Sequence, residues 1–209
     1  MTDICHEAHQ LFHSLPHHHF PFIASRIPNN GIYILFEEGE QAHGGDRIVR
    51  IGTHTGDDKL PSRLNEHFLK ENKDRSIFRK NIGRALLNKD NDPFLAQWEY
   101  DLMSREARVK FGARVDMGKQ KIVECQVTDY VRTHFKFVVI PVTHKDKRLW
   151  LESRLVSTVS RCSVCQASAS WLGNYSPKEK IRESGLWQEM ELYKQPLSLS
   201  EFQILQALL

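Results

Sequence analysis

Two β-rich runs standing close together constrain this chain most: GIYILF at 31–36 and RIVRIG at 47–52. Their Ile, Val and aromatic residues suit a pleated, half-buried surface, so the pair reads as a hairpin. Gly31 and Gly52, at the start of one run and the end of the other, either turn the chain or let a ligand approach the backbone closely. The intervening EEGEQAHGGD is longer than the commonest tight turns and reads as an exposed loop. A third apolar run, FKFVVIPV at 135–142, suits a buried strand.

Helical patterns fill most of the remainder. RLNEHFLKE reads as a helix with Pro61 in its first turn. SIFRKNIGRALL at 76–87 carries Ile77, Ile82, Leu86 and Leu87 as an approximate stripe. DPFLAQWEYDLMSREARVKFG starts at a cap-like Asp92 before Pro93 and reads as helical throughout. KQKIVECQVTDYVRTHF and RLWLESRLVSTVSRC follow as helices, with THKDK read as a polar turn between strand and helix. Ser198 and Glu201 have capping-box spacing ahead of a terminal helix. The order strand, strand, helix, helical insertion, strand, helix, C-terminal lobe describes an α+β fold around a small sheet.

At 209 residues the chain suits one large domain with appendages, and 40% hydrophobic with 26% charged residues is the balance of a globular protein. No apolar run reaches transmembrane length, and MTDICHEAHQ lacks a secretory pattern, so a cytoplasmic location without membrane contact is expected. CSVC at Cys162 and Cys165 has the spacing of half a zinc site, but no second CxxC completes it, and reduced thiols are expected. HSLPHHHF, with three histidines between Pro16 and Phe20, suits a surface turn better than a ligand set and carries no assignment. The formal net charge is +3, unevenly spread: residues 47–84 hold ten Lys or Arg against five acids, and a second basic stretch spans 104–121. Such clustering suits a polyanion and equally suits a solvated helix face.

Three features could carry chemistry. Glu152 shares a helix face with Leu149, Leu155, Val156 and Val159, so its carboxylate should be partly desolvated and must meet a cation, a metal or a pocket. Arg63 and His67 lie at i and i+4 beside the stripe Leu60, Leu64, Phe68, where both can face one cleft. Tyr33 lies mid-strand, where a tyrosine is ordinarily a packing residue.

Taken in order, GIY at 31–33, RIG at 50–52, Arg63 followed by His67, and Glu152 on the helix after the third strand resemble the GIY-YIG nuclease superfamily. The resemblance implies a three-stranded antiparallel sheet flanked by helices. It spans roughly residues 30–175, with a helical insertion at about 71–132, an N-terminal extension at 1–29 and a C-terminal helical extension at 176–209 packed on the core. It implies a divalent-metal-dependent DNA endonuclease using Mg²⁺, or Mn²⁺ in its place, with Tyr33, Arg63, His67 and Glu152 as catalytic residues and Glu152 as metal ligand. Arg50 replaces the second motif tyrosine and is expected to contact phosphate; His54, Arg79, Lys80 and Asn174 are the other expected substrate contacts. The competing reading is a catalytically inactive nucleic-acid-binding module on the same fold, holding its ligand through the basic segments 73–84 and 104–121.

Overall fold

A computed structural model describes residues 3–209. Its centre is an antiparallel sheet of four strands in the order β1-β4-β2-β3: β1 (His18–His19), β2 (Gly31–Ala42), β3 (Gly45–Gly52) and β4 (Phe135–Pro141). The three expected strands are present. The fourth is a two-residue edge in which His18 and His19 pair with Phe137 and Lys136, so part of the histidine-rich segment is strand and not surface turn. The expected long loop after GIYILF is also absent. The hairpin extends to Ala42 and Gly45, and only His43 (φ 53°) and Gly44 (φ 80°) turn the chain, both in the left-handed region that a tight two-residue connection requires.

Strand β2 is buried on both faces. Tyr33 and Leu35 enter a core with α2 (Leu60–Phe68), α3 (Ile77–Lys89) and α6 (Met117–His134). Ile32, Ile34 and Phe36 enter a second core with α1 (Ile4–His13), α7 (Lys145–Ser160) and α9 (Leu199–Gln206). This is period-two alternation with a cover on each side. In β3 the alternation breaks: Leu35 pairs with Arg50 and Phe36 with Ile48, leaving Val49 as the extra residue of a bulge. Val49 packs in the first core and Arg50 reaches the Tyr33 hydroxyl on the same side, so the bulge aims two consecutive side chains at one face.

Two helices differ from the periodicity. The expected continuous helix after Asp92 is split into α4 (Leu95–Trp98) and α5 (Arg105–Phe111), because Asp74 Oδ2 accepts from the Leu102 N–H and Lys73 Nζ donates to the Tyr100 carbonyl, holding the intervening chain irregular. Helix α7 begins at Lys145, so THKDK supplies its first turn. Near the C-terminus, α8 (Glu179–Ser184) ends at Gly185 in the left-handed region, and α9 has the expected Ser198–Glu201 capping box. Among the described residues no helix is long and apolar enough to cross a membrane.

Glu37 joins distant segments. Its carboxylate is 2% exposed and accepts from Trp171 Nε1 (2.8 Å), Trp187 Nε1 (2.8 Å) and the Tyr130 hydroxyl (2.5 Å). Burial pushes its pKa up, and these donors, with the Arg47 charge, oppose that rise. Replacing Glu37 with Ala orphans three buried donors, so Glu37→Ala is expected to lower unfolding free energy by about 3 kcal/mol, read from urea midpoints. Glu37→Gln keeps an acceptor oxygen and should lose clearly less.

Candidate active site

Helix α2 is oriented by burial of Leu60, Leu64 and Phe68, with Pro61 in its first turn. That packing leaves Arg63 half-exposed at the edge and places His67, one turn later, wholly inside. The two side chains therefore do not share one cleft as expected; they occupy successive layers.

The inner layer is a hydrogen-bonded chain. Tyr33 Oη lies 2.8 Å from His67 Nε2, and His67 Nδ1 lies 2.8 Å from Ser76 Oγ. Ser76 is also the N-cap of α3, accepting from the Arg79 N–H. Arg50 Nε approaches Tyr33 Oη at 3.4 Å, while its Nη1 donates to the Trp187 carbonyl at 2.5 Å. Gly52 adjoins this hydroxyl, and a Cβ there would run into it, so close backbone approach decides the glycine. His67 is held well below the ordinary imidazole value, by burial first and then by the charges of Arg63, Arg50 and Arg79. It is a neutral ring that can accept from a phenol.

The outer layer is a cleft of about 460 Å³ lined by Thr53, His54, Lys59, Arg63, Glu66 and Glu152, among others. Arg63 Nη1 donates to Glu66 Oε2 (3.1 Å) and to the Arg75 carbonyl (3.0 Å). Glu152 projects from α7 next to the half-exposed Leu149, which also lines the cleft, while Leu151, Leu155, Val156 and Val159 form the helix's buried face. Leu149 thus belongs to the cleft wall and not to the core stripe expected for it. Burial pushes the Glu152 pKa up, opposed by the Arg50 charge, the Thr53 backbone and the Arg63 charge. Glu152 forms no ion pair among the described residues, so its half-buried carboxylate faces the cleft with the Thr53 backbone as its partner and no cation in contact. A carboxylate oxygen facing a polar cleft fits a hard divalent cation, which takes oxygen ligands.

The other expected contacts divide. His54 lines the cleft, its Nδ1 2.5 Å from the Gly56 carbonyl and its Nε2 accepting from the Gly31 N–H, so it also braces the loop. Arg50 is 6% exposed and faces inward to Tyr33 and Trp187, leaving the expected phosphate contact without a surface cation. Arg79 is fully buried, and Glu124, Thr128 and the His67 carbonyl take its donors. Lys80 donates to the Glu99 carbonyl, and Asn174 donates to the carbonyls of Ser168 and Ala169; neither lines the cleft. Lys73 and Arg84 of the same basic stretch pair with Asp74 and Glu99. By contrast Arg105, Arg108, Lys110 and Arg114 on and after α5 are exposed. Glu66 and Ser76 are additional members: Glu66 stands three residues after Arg63, a legible pairing distance, whereas no sequence signal joins Ser76 to His67.

A family model described as the GIY-YIG domain matches residues 21–206. No curated protein and no solved structure matches.

Because the folded state keeps His67 neutral while the unfolded chain protonates near the ordinary value of 6.5, His67 contributes stability that is present above that value and lost as pH falls below it. Urea midpoints should fall between pH 7.5 and about pH 5.5, and the fall should be smaller in His67→Gln; an equal slope in both would remove His67 as a source of the acid sensitivity.

Proposed function

The chain belongs to the GIY-YIG domain family, and on that premise we propose that it is a divalent-metal-dependent endonuclease hydrolysing phosphodiester bonds of DNA in the Thr53–Glu152 cleft. The observation that carries this reading is the Glu152 carboxylate, without an ion-pair partner, facing the same cleft as Arg63, whose helix supplies the Tyr33–His67 hydrogen bond one turn deeper.

Glu152 would hold Mg²⁺, with Mn²⁺ able to take its place. When bound, the ion supplies charge neutralisation at the scissile phosphate and the leaving oxygen. Arg63 presents a planar fork of donors to the same phosphate, exchanging the Glu66 carboxylate for a phosphate oxygen. Lys59, exposed on the cleft rim, adds a second cation.

Tyr33 is fully buried one layer beneath the cleft, so for it to orient the attacking water or take its proton the cleft floor must open to its hydroxyl. A phenol is a weak base with a pKa near ~10, so its own proton needs an acceptor. His67, its ring proton on Nδ1 toward Ser76 Oγ, accepts a hydrogen bond from Tyr33 Oη at Nε2 and so orients the phenol, while its lowered pKa keeps it from taking the phenol's proton. Arg50, in place of the second motif tyrosine, points its Nε toward the phenol oxygen at 3.4 Å and helps fix its position. The exposed cations on and after α5 are suited to a DNA backbone, whereas the internally paired cations of 73–84 are not.

Supercoiled plasmid incubated with protein and Mg²⁺ should be nicked or linearised. Glu152→Ala should abolish cleavage, and Arg63→Ala should slow it ~10²–10³-fold while the chain stays folded. Tyr33→Phe should also slow it while preserving the fold, because the ring packing survives. Salt-sensitive DNA binding without cleavage on diverse DNAs, in Mg²⁺ or Mn²⁺, would replace this reading with that of an inactive binding module, and full activity in Glu152→Ala would remove Glu152 from the site.

A further inference from the structure

Cysteine and histidine side chains from three remote segments meet away from the cleft. Cys5 and His9 lie one turn apart on α1, His43 occupies the two-residue turn of the hairpin, and Cys165 follows α7. One ligand atom from each lies within 4.8 Å of the other three. Cys5, His9 and Cys165 are buried and His43 is half-buried, so this is an interior cluster and not a chance surface gathering.

Two of the six spacings are close to those of a coordination polyhedron, and the rest lie within 4.8 Å. With Zn–S near ~2.3 Å and Zn–N near ~2.05 Å, a tetrahedron has edges of about 3.8 Å between sulfurs and about 3.6 Å between sulfur and nitrogen. Here Cys5 Sγ lies 3.5 Å from Cys165 Sγ, and Cys165 Sγ lies 3.8 Å from His9 Nε2. A disulfide would need the two sulfurs at roughly 2.05 Å, and both cysteines are free thiols. His9 Nδ1 lies 2.9 Å from the Cys5 carbonyl, the outward hydrogen bond that fixes the tautomer of a metal-bound imidazole and leaves Nε2 for the ion. That Nε2 otherwise meets only the long 3.4 Å approach of the Ile48 N–H.

We propose that Cys5, His9, His43 and Cys165 form a structural zinc site that fastens α1, the β2–β3 turn and the segment after α7 to one another. Paired sulfur and imidazole donors in a closed tetrahedral set select a borderline-soft ion and leave no position open for substrate. The thiolate is the ligating form, and a bound ion takes the place of the proton on each sulfur. An entry path exists: a surface recess of about 370 Å³ lined by Asp3, Cys5, Cys162 and Val164 opens beside the cluster. Cys162 Sγ, 3.3 Å from His43 Nε2, groups with His43 and Asp3 and not with the four, so it stands next to the ion as a neighbour.

The site is separate from the cleft and is tested without reference to cleavage. The full chain, expressed with zinc and purified without chelator, should carry a single zinc per molecule by elemental analysis, and Cys5→Ser and Cys165→Ser should lose it. Cobalt(II) added to the metal-free wild type should give thiolate-to-cobalt charge-transfer and tetrahedral d–d bands. Because the cysteine variants can fail to fold, His43→Ala, on a half-exposed turn, provides the second reading: its cobalt spectrum should change while its circular dichroism stays that of the wild type. Cys162→Ser should retain the ion; loss there would overturn the ligand assignment. Absence of stoichiometric zinc together with absence of the cobalt bands in the wild type, or an unchanged spectrum in folded Cys165→Ser, would overturn the site itself.

Discussion

Burial of β2 on both faces is the constraint on which the rest depends. A strand with Ile32, Ile34 and Phe36 on one side and Tyr33 and Leu35 on the other exposes apolar surface in both directions until two layers of helices cover it. The helices α2, α3 and α6 close one side, and α1, α7 and α9 close the other. The candidate active site draws on both: Tyr33 and His67 lie in the first core, while Glu152 comes from α7 on the second side and reaches the cleft past the end of β3. No single layer could present these groups together.

Charge inside the fold is managed by pairing. Arg79 with Glu124, Arg47 with Glu40 and Lys73 with Asp74 are all nearly or wholly buried, and each cation would be costly without its partner. Arg79 also holds the His67 carbonyl, so an ion pair between α3 and α6 braces the helix carrying two site residues. The positive surplus of residues 47–84 is therefore largely architectural. Charge counted along a chain measures composition; only the pairing decides which cations remain for a ligand.

The site was legible to different depths. Tyr33, Arg63, His67 and Glu152 are recognisable as an ordered set, and their elements follow from local periodicity: Leu60, Leu64 and Phe68 orient α2, and the alternation of GIYILF orients β2. Their layering was not legible. The i, i+4 spacing put Arg63 and His67 on one edge, but the way α2 packs buries the imidazole and leaves the guanidinium outside. Arg50 shows the same limit: in a regular strand it would oppose the face of Val49, and the bulge turns both to one side. Glu37 and Glu40 looked like loop residues because their partners, Trp171, Trp187, Ser168 and Arg47, come mostly from far along the chain.

By itself the sequence determined the elements and the chemistry they carry: a β-hairpin, a third strand, amphipathic helices, and a tyrosine, arginine, histidine and glutamate in fixed order. These are local properties, set by side-chain periodicity, turn residues and residue type within a few positions. Tertiary structure alone decided which charged groups are paired, which of Arg63 and His67 meets solvent, and that Cys5, His9, His43 and Cys165 stand together. Those outcomes depend on contacts between residues up to 160 positions apart, as for Cys5 and Cys165, and a one-dimensional pattern carries no distance between them until the sheet and its two helical layers close.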